Sequence, residues 1–188
     1  MGLPVAPGTT VRHCASHLYP VTPFPLPQPG TFLEQLFAAL DQQGVDVSGM
    51  PLDHLCYRVA TQERYVQLRN ALSADGELLA ETTIGGRPIA TFRLHVPIVH
   101  GHQAIQLVEL PAPKPGSPYP EGWEHAEFVV NEDLLVFTQR HPQVSWDLTD
   151  LDKPLNADGR LRLGDIGVKF HRLALDEVIR REQVDGGT

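Results

Sequence analysis

Cysteine is nearly absent from this chain: Cys14 and Cys56 are the only two among 188 residues. One of them lies in a proline-dense stretch, so they cannot build a disulfide framework. They are also too few for a cysteine-rich zinc site, and the expected setting is reducing and cytoplasmic. Long apolar runs are missing as well. No stretch approaches the roughly 20 residues needed to cross a bilayer. The N-terminus has no basic region followed by an apolar run, so no secretory signal is expected. Met1-Gly2 opens like an acylation site, but Ala6 stands where that pattern needs a hydroxyl residue. Positive charge is scarce: 15 Lys and Arg against 23 Asp and Glu give a net charge of −8. A negative surface repels phosphate backbones, which argues against a nucleic-acid partner. What remains is ordinary for a soluble protein, with 41% hydrophobic residues, enough for a core in one domain or two small packed halves.

Seven prolines (Pro4, Pro7, Pro20, Pro23, Pro25, Pro27 and Pro29) crowd residues 1–30. Such density forbids regular hydrogen-bonded structure, so these residues read as a flexible arm that folding does not need. His13 and His17 within it read as solvated side chains. The folded part is expected over residues 31–188. A first helix should start at Thr31, because Thr31 and Glu34 form a capping-box pattern. Phe32, Leu33, Leu36, Phe37 and Leu40 then recur on one helical face, and Gly44 is a natural stop.

Two similar runs follow. The first, about residues 51–111, reads as a strand (53–60), a helix (61–73) and three strands (77–84, 87–96 and 103–111), with Gly85-Gly86 as a hairpin turn. Residues 112–121 form a Pro-rich linker. The second run, about residues 122–183, reads as a strand (124–130), a helix (131–140) opened by Asn131, and a strand (144–148). A segment at 160–163, a strand at 168–171 and a closing helix at 173–183 complete it. The two runs match at two landmarks. Asp53-His54-Leu55-Cys56-Tyr57-Arg58-Val59 parallels Glu124-His125-Ala126-Glu127-Phe128-Val129-Val130, and Leu107-Val108-Glu109-Leu110 parallels Lys169-Phe170-His171-Arg172. A repeat of this length implies two copies of one supersecondary unit.

Side chains alternate between the faces of a strand. Leu55, Tyr57 and Val59 share one face, as do Ala90, Phe92 and Leu94, Ala126, Phe128 and Val130, and Val168 and Phe170. These apolar faces should pack under the helices. The opposite faces carry His54, Cys56 and Arg58; Thr91, Arg93 and His95; His125 and Glu127; Lys169 and His171. A solvated outer face explains scattered charges. A concave polar cavity explains the histidines and arginines better. His54, Glu109, His125 and His171 occupy matched positions, so a pseudo-two-fold axis would let them converge on one metal ion. Imidazole and carboxylate suit zinc, iron, nickel, cobalt or manganese. Glu127 shares the face of His125, either as a general base or as a partner that orients a ligand histidine. Arg58, Arg93, His95 and Lys169 are the expected binders of an anionic, oxygen-rich small molecule.

The runs Asp53-His54, Gly85-Gly86-Arg87-Pro88-Ile89, Leu94-His95, Val108-Glu109-Leu110-Pro111, Tyr119-Pro120, Gly122-Trp123-Glu124-His125 and Lys169-Phe170-His171 together resemble the YecM family. The resemblance covers about residues 31–183. That family falls in the vicinal oxygen chelate superfamily of glyoxalases, extradiol dioxygenases and bleomycin-resistance proteins. The resemblance implies an α+β fold: two βαβββ modules forming a curved mixed sheet around a cavity, with extra N- and C-terminal helices. It also implies a divalent metal held by the first and fourth strands of each module, which here means His54, Glu109, His125 and His171. His171 departs from the glutamate usual at the last position in glyoxalases and dioxygenases.

The function these readings favour is a divalent-metal-dependent enzyme acting on a small oxygen-chelating, anionic substrate, of the Lewis-acid isomerase, lyase or dioxygenase type. The alternative is a metal-free small-molecule binding or sequestering protein of the bleomycin-resistance type. No nucleic-acid or membrane partner is expected. The expected state is a monomer, with a dimer left open.

Overall fold

The structure, a computed structural model, describes residues 24–116 and 118–185. Its elements in chain order are α1 (Gly30–Gln42), β1 (Leu52–Arg58), α2 (Gln62–Leu72), β2 (Gly76–Ile84), β3 (Arg87–His100), β4 (Gln103–Pro111), β5 (Gly122–Val129), α3 (Leu134–Gln139), β6 (Asp158–Leu163), β7 (Ile166–His171) and α4 (Leu175–Asp185). The seven strands form one mixed sheet in the order β2-β3-β4-β1-β5-β7-β6. Within each module the first and last strands run parallel, β1 with β4 and β5 with β7. The two modules join where β1 pairs antiparallel with β5. None of the helices among the described residues is long and apolar enough to cross a membrane.

The expected apolar faces are the buried ones. Leu55, Ala126, Phe128, Val168 and Phe170 pack against Leu33, Leu36 and Leu40 of α1 and Phe137 of α3. Tyr57, Val59, Ala90, Phe92 and Leu94 pack against Tyr65, Leu68 and Leu72 of α2. Burial of such side chains contributes about 1.5–3 kcal/mol each and holds the three helices against this face of the sheet. α4 lies on the other face. Its Leu175, Val178 and Ile179 line the cavity there instead of joining either core.

Several local expectations change. α1 begins at Gly30 behind an N-cap Pro29, and no side chain caps it. Thr31 therefore sits inside the first turn, where its hydroxyl cannot act as the cap, and the capping box with Glu34 is not made. α3 is capped by Asp133, whose carboxylate accepts from the amides of Leu135 and Val136, so the helix starts three residues after the expected Asn131. Residues 144–148 join the sheet only through one bridge, Asp147 to Arg160. The second module thus has three strands where the first has four. The hairpin at Gly85-Gly86 forms as expected, with φ of +59° and +79°, angles that glycine adopts without steric cost.

The proposed arm ends earlier than residue 30. Leu26 is 3% exposed within the α2-side core, and Phe24 packs against the same cluster. The indole N–H of Trp123, on β5, donates to the carbonyl of Pro27 at 3.0 Å. Residues 24–29 therefore belong to the body. Ala6, His13, Cys14 and His17 lie outside the described residues.

Candidate metal centre and binding cavity

The β1–β5 ladder sets His54 opposite Glu127 and Cys56 opposite His125. A two-fold relation between the strands exchanges the histidines with each other and Cys56 with Glu127. β4 brings Glu109 beside Cys56, and β7 brings Lys169 beside Glu127. Glu109 and Lys169 are therefore the equivalent pair, and His171 lies two residues further along β7. The sequence match of Glu109 with His171 was two residues out of register. A slip of two keeps every side chain on its face, so alternation could not detect it.

His54, Glu109, His125 and Glu127 offer donor atoms that all lie within 4.8 Å of one another. Of the four expected ligands, three are thus brought together, and the fourth place is taken by Glu127. His171 stands in an adjoining group with Asp53 and His54. Its Nε2 is 3.5 Å from a Glu127 oxygen.

Each imidazole is anchored from behind. Nδ1 of His54 meets Asp53 at 2.8 Å, Nδ1 of His125 meets Glu124 at 2.8 Å, and Nδ1 of His171 meets the carbonyl of Leu173 at 2.6 Å. These acceptors place the proton on Nδ1 of the neutral rings and leave a lone pair on each Nε2. All three Nε2 atoms are buried and make no hydrogen bond. Nε2 of His54 is 3.3 Å from a Glu127 oxygen and 3.7 Å from a Glu109 oxygen. Nε2 of His125 is 3.2 Å and 3.7 Å from the same two groups. Lone pairs facing carboxylates in a buried site call for a cation between them. Gly167 stands opposite His125 in the β5–β7 ladder, and a Cβ there would come within 3.2 Å of the Cβ of His125.

The carboxylates make the site attract positive charge, and without an ion a proton on the imidazoles takes that place. Burial pushes the His54 imidazolium down, but Glu127, Asp53 and Glu109 outweigh it and raise the group to about 10. His125 is likewise raised against the effect of burial. Burial works to raise the Glu127 carboxyl, yet His54 and Lys169 hold it well below the usual carboxylate range. Glu109 is also lowered, by His125 and His54, against burial. His171 moves the other way, lowered chiefly by burial. Lys169 Nζ donates to Glu127 in a buried ion pair.

The cluster sits in a cavity of about 480 Å³, within the range usual for small-molecule sites. Of the four expected anion binders, only Lys169 lines it. Arg58 is ion-paired with Glu124, and its guanidinium stacks 4.5 Å from the centre of the Tyr119 ring. Arg93 is ion-paired with Asp176 at 2.6 Å, and His95 is exposed. From the inner face of β3 the cavity takes Arg87, Ile89 and Thr91, while Arg93 and His95 lie outside its lining. Lys153, Asp158 and Arg160 line it too. Arg87 follows from the same alternation that selected Arg93. Nothing in the sequence pointed to Lys153, which sits outside any strand.

A family model described as "YecM protein" matches residues 28–158. Protein YecM of Escherichia coli (strain K12) is 30% identical over 173 residues, which span 80% of this chain and 90% of that protein. A solved structure described as "Structural Genomics, Protein EC4020" superposes with a TM-score of 0.69 at 29% identity, over 81% of this chain and 88% of that one. A solved methylmalonyl-CoA epimerase in complex with methylmalonyl-CoA and NH4+ superposes with a TM-score of 0.50 at 14% identity, over 68% of this chain and 97% of that one, a likeness of fold alone. The fold is shared with that epimerase, and the chain belongs to the YecM family.

Proposed function

We propose that this protein holds one divalent cation and uses it to act on a small, oxygen-rich anion. The observation that carries the reading is the set of three buried, unbonded Nε2 atoms around Glu127 and Glu109. His54, His125, Glu109 and Glu127 would hold the ion, a mixed nitrogen and oxygen set suited to zinc, iron, nickel, cobalt or manganese. When bound, a divalent cation supplies Lewis acidity toward substrate oxygens. Asp53 and Glu124 fix the tautomers of the two ligand histidines, and Leu173 fixes that of His171. His171 stands next to the outer oxygen of Glu127, its Nε2 3.5 Å away. Burial pushes the Asp158 carboxyl up, although Lys169 and Lys153 oppose it, and Asp158 lines the same cavity. Its carboxylate is ion-paired with Arg160, which lines the cavity beside it.

The second reading is a metal-free binder. It is favoured by the Lys169–Glu127 ion pair, which neutralises one of the central carboxylates without any ion. Elemental analysis separates the two. Protein purified without chelators and without a nickel column should carry roughly one divalent ion per chain. Absence of metal, together with no thermal shift on adding zinc, manganese, cobalt, nickel or ferrous ion, would leave the metal-free reading standing.

A further inference from the structure

Four lysine and arginine side chains line the cavity, and three of them are matched by acids. Lys169 pairs with Glu127, Lys153 with Asp150 at 2.8 Å, and Arg160 with Asp158 at 2.5 Å as well as with Asp150. Arg87 makes no ion pair among the described residues. One of its terminal nitrogens donates to the carbonyl of Ala112 at 3.0 Å and to the hydroxyl of Tyr119 at 2.9 Å. Those bonds fix the guanidinium and leave its other edge unspoken for. Glu182, on the rim of the same cavity, is exposed and forms no ion pair with it.

The register gives the spacing. Thr91 pairs with Glu109 across the β3–β4 ladder, and Ile89 pairs with Pro111 one step further out. Arg87 lies four residues from Thr91, which is about 13 Å along the strand at the usual rise. On the strand between them the wall is apolar, Ile89 beside Pro111, and Leu175, Val178 and Ile179 of α4 line the same cavity. An ordered guanidinium at one end, an apolar passage, and a cluster of His and Glu at the other end form a site with two polar poles.

We propose that the ligand is elongated and carries an anion at each end: an oxygen-chelating acid for the His54–His125 end, and a terminal carboxylate, separated by several methylene-like atoms, for Arg87. This rests on the metal-site reading for one end only. A guanidinium binds a carboxylate in two-pronged fashion, so Arg87 sets both the charge and the length that the cavity accepts. Arg58 and Arg93 have no part in it, since each is already neutralised.

The test uses full-length protein with its metal content measured, and calorimetry on a series of 2-oxo acids: 2-oxoglutarate, 2-oxoadipate, 2-oxopimelate and 2-oxosuberate, beside 2-oxooctanoate as a chain with no second carboxylate. Affinity should rise along the diacid series, and the eight-carbon diacid should bind about tenfold tighter than the eight-carbon monoacid. Arg87→Met should erase that preference while leaving the bound metal unchanged, and Arg87→Lys should keep part of it, which guards against a variant that merely misfolds. Equal binding of diacid and monoacid, no binding of any diacid, or a diacid preference that survives Arg87→Met would overturn the proposal. A preference that depends on Arg87 in protein devoid of metal would uphold the proposal and refute the metal reading.

Discussion

The two modules present the same strand pair to the cavity and fill it differently. In the first, β1 and β4 place His54, Cys56 and Glu109 inward, a small thiol beside a carboxylate with no lysine or arginine partner. In the second, β5 and β7 place His125, Glu127 and Lys169 there, a carboxylate beside its own counter-ion. The histidine is kept in both and the charges around it are exchanged. Pseudo-symmetry in the backbone thus yields an asymmetric donor set: one imidazole from each side, one glutamate that faces only histidines from the first module and one lysine-paired glutamate from the second. The difference teaches that equivalence of position in a repeat does not imply equivalence of role.

The sharpest way to break this comparison is to remove the shared element. His54→Ala and His125→Ala should each take metal content from about one ion per chain to less than roughly a tenth, read by elemental analysis. A large difference between the two would mean that one module alone carries the site. Next in size are the anchors behind the rings. Asp53→Asn and Glu124→Gln should each weaken metal affinity by about 10–100-fold in competition with a chelating dye, because each loosens the tautomer and aim of one histidine.

Lys169 tests the asymmetry itself. Lys169→Met leaves Glu127 buried without its partner, so the metal-free protein should lose about 1–3 kcal/mol in denaturant unfolding, a range kept below that of a fully buried pair because Lys169 is 30% exposed. The same variant should bind metal more tightly, since a positive charge beside the ion is gone. Weaker metal binding would show that Lys169 shapes Glu127 and does not merely compete for it. The smallest effect on the site is expected from the segment ahead of α1, whose loss acts on stability alone. A chain starting at Gly30 should be less stable than one starting at Phe24 by about 2–3 kcal/mol, the worth of burying Leu26 and of the Trp123–Pro27 bond. Equal midpoints in urea would mean that residues 24–29 only rest on the body.

Much of this was legible from alternation. The period of two placed Leu55, Phe92, Phe128 and Phe170 in the core and His54, His125 and Glu127 on the cavity face without any knowledge of the partner strands. What alternation cannot supply is position along a face. Glu109 was matched to His171 when the ladder matches it to Lys169, and Arg93 was preferred to Arg87, because a shift by an even number of residues leaves the pattern intact. Nor does charge pattern reveal pairing. Arg58 looked like a free cation because Glu124 was read as a copy of Asp53, not as its partner across the strand pair. The strand expected at 144–148 was lost for a related reason: it has the composition of an edge strand, but only Asp147 is held by the neighbouring β6.

The antiparallel ladder between β1 and β5 also imposes an order in time. His54 and Glu109 leave the ribosome with the first module, but His125 and Glu127 arrive only with the strand that stitches the halves together. A nascent chain ending at the linker offers one imidazole and one carboxylate, too few to retain an ion against cellular chelators. On the proposed metal reading, capture would be a late event in biogenesis, contingent on docking of the halves, and a bound ion would act as a latch on the assembled molecule.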